Sequence, residues 1–166
     1  MHSVLLGVVR QFVYLWFDSH SNSKPYYLGR NLSKIDVLLL AIKPPFEIKR
    51  LPRSLLSRKY WKASEFRNLF YSIPCLQQFL PKEFMNHWQL LIFAVYRLME
   101  KPVDIHVVTM RNLAFHKFVV LIEELYGEEH VSHNVHLLTH LVSAVERWGP
   151  LWANSAFLFE DANGKL

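Results

Sequence analysis

The sequence contains few cysteines and glycines and no long hydrophobic run. Its single cysteine, Cys75, excludes an internal disulfide and a CxxC metal site. The longest uncharged apolar runs lie at 37–42 and 90–95, far shorter than the roughly 20 residues of a membrane-spanning helix. We therefore expect no membrane span. At 166 residues, 51% of them hydrophobic, the chain is long enough to bury a core and too apolar for intrinsic disorder.

Positive charge is concentrated in one part of the chain. The segment 43–62, here called the basic segment, holds seven Lys or Arg against one acid, Glu47. Its balance of +6, set against +5 for the whole chain, leaves −1 for the other 146 residues. Such a segment is either a solvated loop or a surface for a polyanion. The candidate DNA-contacting residues are Lys49, Arg50, Arg53, Arg58, Lys59 and Lys62.

Aromatic residues lie among these cations. Trp61 is interpreted either as a core residue, like the other tryptophans including Trp148, or as a stacking partner for a nucleic-acid base. Cys75 is interpreted as a small buried apolar group.

Apolar residues recur at helical spacing through most of the chain, and no alternating strand pattern is present. We predict an all-α fold in one helical domain spanning 1–166, with a loop at 19–25. Ser33 and Ser132 are predicted N-caps, and Gly127 and Gly149 are predicted helix ends. The predicted helices cover about 3–18, 33–42, 63–72, 81–100, 104–126 and 133–148.

The helix predicted at 133–148 separates apolar residues from histidines. At about 100° per residue, the apolar stripe falls opposite His133, His136, His140, Ser143 and Arg147. His136 and His140 form an HxxxH pair, and two imidazoles at i and i+4 are able to bind one metal ion. The alternative is an ordinary solvated helix face. His130 and His133 are interpreted as bystanders.

Several strings, in this order, resemble the C-terminal part of the transposase of CACTA-type (En/Spm-like) DNA transposons. They are MHSVLLGVVRQ (1–11), IKRLPRSL (48–55), WKASEFRNLFY (61–71), NVHLLTHL (134–141), WGPLW (148–152) and FEDANGKL (159–166). The resemblance implies an RNase H-like catalytic core with two Asp and one Glu, interrupted by a helical insertion. The chain would correspond to that insertion and the catalytic Glu region, without the sheet.

The resemblance also implies roles for individual residues. His2 looks like the histidine of an Asp-x-x-His motif, and His136 and His140 look like the family's HxxxH pair. Glu160, in the tail 155–166, looks like the third catalytic carboxylate. By this likeness, Mg²⁺ or Mn²⁺ would serve phosphodiester cleavage in the intact enzyme, where carboxylates are the preferred ligands. Zn²⁺ on the histidines would be structural.

The resemblance leads us to expect a fragment of a larger transposase. Both catalytic Asp residues are unmatched, so the isolated chain is expected to be inactive in DNA cleavage and strand transfer. Its expected partner is DNA, its location nuclear or intracellular, and self-association is expected through an apolar face that the absent sheet would cover. The alternatives are a non-catalytic interaction or DNA-binding module retained from a transposon, and an unrelated metal-binding helical protein.

Overall fold

The computed structural model describes residues 3–43, 51–99 and 105–149, and these are helical apart from short connections. A π-helix, Ser3–Val9, leads directly into α1. The α-helices α1 to α8 span Arg10–Phe17, Leu32–Leu40, Ala63–Tyr71, Ile73–Gln77, Lys82–Met99, Ile105–Tyr126, His133–Leu137 and Leu141–Trp148. Short 3₁₀ helices span Ser19–Ser21, Gly29–Asn31, Leu55–Tyr60, Glu128–His130 and Leu138–His140.

No strand occurs within the described ranges, which confirms the predicted all-α class. None of the described helices is both long and apolar enough to cross a lipid bilayer. Contacts divide the chain into two compact units. One spans Leu5–Gln89, and the other consists mainly of the helices that follow.

An aromatic cluster forms the centre of the unit Leu5–Gln89. The Trp88 ring centroid lies 4.7 Å from that of Trp16, 5.3 Å from Phe70 and 5.6 Å from Phe12, in edge-on or tilted contacts. All four side chains are fully buried. Each aromatic side chain buries about 150–250 Å² and gains further from edge-on geometry. This cluster joins α1, α3 and the first half of α5 into one core.

The apolar periodicity of the long helix α5 is confirmed. Every residue of the predicted apolar stripe on α5 is buried, both in the half of the helix that belongs to the unit Leu5–Gln89 and in the half that follows it. Its members are Phe84, Trp88, Leu91, Val95 and Leu98. Cys75 is buried as expected, and burial raises the pKa of its thiol.

The final helix begins where the sequence predicts. The Ser132 hydroxyl accepts a hydrogen bond from the Val135 N–H at 3.4 Å, which confirms the N-cap. Gly127 and Gly149 both have positive φ, at 111° and 86°, in the region where a side chain is strained. The predicted apolar stripe is buried at Val135 and Leu138 and continues into α8.

Other sequence expectations were wrong in detail. The helix predicted at 133–148 is interrupted by the 3₁₀ turn Leu138–His140, so it forms two α-helices. Trp148, expected in the core, is 74% exposed. Ser33 does not cap α2, because that helix begins at Leu32 and no side chain caps it.

A buried carboxylate fixes the start of α3. Glu65 is the third residue of this helix and is only 3% exposed. Its Oε2 accepts a hydrogen bond from the Lys62 backbone N–H at 2.9 Å, which is the glutamate half of a capping box. Its Oε1 accepts one from Arg53 Nε at 2.7 Å. The end of the basic segment is thereby tied to the helix that follows it.

Ionised Glu65 is stabilised despite its burial. Burial is the largest single influence on its pKa and raises it. Hydrogen bonds from the Lys62 N–H, the Ser64 hydroxyl and its own N–H, with the positive charge of Arg53, outweigh that influence. The pKa of Glu65 therefore lies below its ordinary value of 4.5.

We predict that Glu65→Gln destabilises the protein at neutral pH and makes its stability vary less with pH in the acid range. A folded-state pKa below the unfolded one contributes stability that is fully present above the unfolded pKa. That contribution is lost as pH falls through the folded pKa. We expect Glu65→Gln to cost about 1–2 kcal/mol at pH 7, since hydrogen bonds to a charged group are lost, and less at pH 3. Urea unfolding followed by tryptophan fluorescence measures this difference.

Glu123→Gln is the matched control, because Glu123 is exposed on α6. It should follow the wild-type pH profile. A Glu65→Gln curve parallel to that of the wild type between pH 3 and pH 7 would contradict the prediction.

Candidate nucleic-acid interface and histidine pair

The described part of the basic segment is held in place by acidic side chains. Asp36, on α2, accepts hydrogen bonds from the Ser54 hydroxyl at 2.7 Å and from the Leu55 N–H at 2.6 Å. The Ser54 hydroxyl in turn accepts one from the Leu56 N–H at 3.2 Å. Pro52 restricts the backbone before this point and lacks an N–H donor. The Leu55–Tyr60 helix therefore begins at a position that Asp36 fixes.

A second carboxylate fixes the other end of this 3₁₀ helix. The Arg58 guanidinium pairs with Asp18, with its Nε 3.1 Å from Oδ1, and it also donates to the Phe17 carbonyl at 3.3 Å. Its Nη1 donates to the Leu55 carbonyl at 3.2 Å. Arg58 thus joins the 3₁₀ helix to the end of α1, and both partners are largely shielded from solvent.

The predicted DNA-contacting residues consequently fall into three groups. Arg53 and Arg58 are paired with carboxylates, and Arg53 also donates to the Tyr60 carbonyl at 2.7 Å. Lys59 and Lys62 are exposed. Lys49 and Arg50 lie outside the described residues. Charge available to a phosphate is therefore smaller than the sequence count suggests, and the role of the two exposed lysines stays a prediction.

Trp61 is a core residue. It is 7% exposed, its indole N–H donates to the Ser54 carbonyl at 3.2 Å, and its ring packs edge-on against Phe66 at 5.4 Å. The preceding residue, Tyr60, is instead 64% exposed. The 3₁₀ helix ends at Tyr60 and Trp61 adopts extended geometry. This change of backbone geometry places the Trp61 ring in the core and leaves the Tyr60 ring exposed to solvent.

The HxxxH pair is brought together on an exposed face. His136 lies on α7 and His140 ends the 3₁₀ turn that follows, and both side chains are exposed. Their Nε2 atoms are 3.3 Å apart and their ring planes are inclined at 74°. The Thr139 hydroxyl donates to the His136 carbonyl at 2.8 Å within that turn.

This separation is compatible with one shared zinc ion. Two nitrogens bound at about 2.05 Å to a tetrahedral ion lie about 3.3 Å apart. A single N–H···N hydrogen bond between neutral imidazoles has a similar length. No group of three or more metal-ligating side chains occurs among the residues described here. The proposed third ligand, His2, and the proposed catalytic Glu160 lie outside them. The described pair would therefore provide two of the four ligands of a tetrahedral ion.

Sequence reasoning missed the three carboxylates that organise the basic segment. Asp36 lies on α2, Glu65 lies on α3 and Asp18 directly follows α1. They are between 12 and 40 residues from the cations or the hydroxyl they bind. No local spacing signal marks such contacts. The sequence also did not predict that Tyr60 is exposed while Trp61 is buried, because this difference depends on where the 3₁₀ helix ends.

Comparisons with protein-family models, curated proteins and solved structures gave no match to this chain. The likeness to CACTA-type transposases therefore depends on the sequence strings given above.

We predict that Zn²⁺ binds weakly at the histidine pair. Complete structural zinc sites provide about 10–16 kcal/mol, and two ligands should leave the dissociation constant in the micromolar range or above. His136→Asn and His140→Asn should each abolish this binding. Isothermal titration calorimetry with Zn²⁺ measures the binding of the wild type and of each variant.

His20→Asn is the control, since His20 is exposed outside this helix. Equal zinc binding by the His136→Asn variant and the wild type would show that the histidine contact is only a hydrogen bond.

Proposed function

We propose that this chain is a DNA-binding helical component of a CACTA-type transposase. The observation that supports DNA binding most directly is the presence of Lys59 and Lys62 on an exposed surface that three carboxylates hold in place. A fixed backbone limits the positions that the two lysines can occupy before a ligand arrives. Less conformational freedom is then lost when they contact phosphates.

The proposed binding is weak and independent of sequence. Arg53 and Arg58 already neutralise Glu65 and Asp18, so contact with phosphate would require them to leave charge-assisted partners. Lys59 and Lys62 carry the described part of the interaction, and Lys49 and Arg50 are proposed to extend it. Lysine contacts to phosphate position a nucleic acid without reading its bases.

The histidine pair is proposed to hold a structural zinc. A bound ion would brace the last helix at the 3₁₀ turn Leu138–His140, where the α-helical hydrogen bonding is interrupted. His2 is the proposed third ligand.

Glu160 is the proposed carboxylate ligand for Mg²⁺ or Mn²⁺. In an intact enzyme these ions would activate the attacking oxygen and stabilise the leaving one during phosphodiester cleavage. This role is proposed from the sequence resemblance alone. The same resemblance is the basis for proposing transposon ends as the DNA partner, self-association of the chain, and a nuclear or intracellular location.

We predict that duplex DNA binds with a steep salt dependence that depends on the two exposed lysines. Each neutralised phosphate contributes about 0.9 to the slope of log affinity against log salt. Lys59→Glu with Lys62→Glu should therefore reduce that slope by about 2 and weaken binding at least tenfold at 50 mM salt. Fluorescence anisotropy of a labelled 20-base-pair duplex at 50 mM and 200 mM salt measures both quantities.

Lys82→Glu with Lys117→Glu is the matched control, because it changes the net charge equally at exposed lysines outside the basic segment. It should reduce affinity only slightly. Equal weakening by both double variants would mean that net charge, and not this surface, attracts DNA. Absence of any duplex binding at 50 mM salt would contradict the proposed function.

A further inference from the structure

Tyr60 is an exposed aromatic residue on a backbone that is fixed from several sides. It ends the 3₁₀ helix Leu55–Tyr60, and its carbonyl accepts the hydrogen bond from Arg53 Nη2 at 2.7 Å. Arg53 is in turn paired with buried Glu65. The Tyr60 ring therefore projects from an anchored position while the residue remains 64% exposed. A large exposed aromatic side chain in such a setting is suited to binding a flat partner.

A lysine ammonium lies beside this ring, and a second exposed lysine follows in the sequence. The Lys59 ammonium lies 4.8 Å from the Tyr60 ring centroid, within the range of a cation–π contact. Lys62, two residues further along, is also exposed. Leu56, on the preceding turn, is exposed and adds apolar surface to the same 3₁₀ helix. An aromatic ring with ammonium groups on either side in sequence matches a partner that carries both a flat π-system and anionic groups.

We infer that Tyr60 is a stacking platform for an unpaired nucleotide base, with Lys59 and Lys62 contacting the phosphates beside that base. This inference rests on the proposed DNA-binding function and adds an unpaired base as the group that Tyr60 contacts. In a duplex the flat faces of the bases are covered by their neighbours, so an exposed tyrosine reaches them only where the strand is open. Stacking on an aromatic residue accepts any base, because every base has a π-face.

The charge of the surface favours a nucleic acid over an apolar protein partner. The exposed ionic groups nearest Tyr60 in sequence, Lys59 and Lys62, are both cations. The acids that bind this segment, Asp18, Asp36 and Glu65, are occupied by internal partners. A partner on this surface must therefore bring negative charge. An acidic protein segment would also bring such charge, but it has no regular flat groups that would use the Tyr60 ring.

The test compares single-stranded and duplex DNA in Tyr60 variants of the full chain. Labelled oligothymidine of 12 nucleotides and a 12-base-pair duplex are titrated by fluorescence anisotropy at 50 mM salt. We expect Tyr60→Ala to weaken oligothymidine binding about tenfold, in line with the loss of one stacked base, and to change duplex binding less than twofold. Tyr60→Phe should retain the wild-type affinity, since the ring is preserved.

Tyr96→Ala is the control, because Tyr96 is an exposed tyrosine of the helix α5. It should leave both affinities unchanged. Unaltered oligothymidine binding by Tyr60→Ala, with salt-dependent duplex binding intact, would overturn the stacking inference alone. Failure of the wild type to bind either DNA would overturn the proposed function as well. Poly-glutamate binding that depends on Tyr60, without oligothymidine binding, would assign the surface to an acidic protein segment and overturn the inference.

Discussion

The organisation of the chain's basic surface depends on carboxylates that bind the segment from outside. Residues 51–62 contain one short 3₁₀ helix and few regular backbone hydrogen bonds. Asp36 supplies an acceptor at its start, Asp18 pairs with Arg58 in its middle, and Glu65 binds both Arg53 and the Lys62 N–H at its end. The same contacts determine which cations are left to bind a partner, because a carboxylate already neutralises the charge of each paired arginine.

The helices were predictable from spacing, because burial of an apolar stripe leaves a local periodic signal. Every predicted stripe position on α5 is buried, and Ser132 caps the last helix as expected. Deviations arise where the backbone departs from ideal α geometry. A single 3₁₀ turn at Leu138–His140 breaks the last predicted helix, and Trp148, three turns into the apolar stripe, is exposed. Periodicity at a fixed 100° cannot register such a local change of pitch.

The two candidate sites also differ in how far the sequence predicts them. The meeting of His136 and His140 follows from i,i+4 spacing, so the sequence was sufficient to predict it. The pairing of Arg58 with Asp18 joins residues 40 positions apart, and counting charges along the chain gave no indication of it. Trp61 and Tyr60 differ by one position, yet only the end of the 3₁₀ helix determines which ring is buried. Local spacing therefore predicted the histidine pair, whereas the DNA-facing surface required tertiary contacts.

Amide hydrogen exchange tests the anchoring of residues 51–62 most directly. The N–H groups of Leu55 and Lys62 donate to the carboxylates of Asp36 and Glu65, so both should exchange far more slowly than in an unstructured chain. Asp36→Asn should accelerate exchange at Leu55 and leave Lys62 protected, because Lys62 keeps its own acceptor. Exchange of both amides at unstructured-chain rates in the wild type would contradict the account, since the lysines and Tyr60 would then have no fixed support.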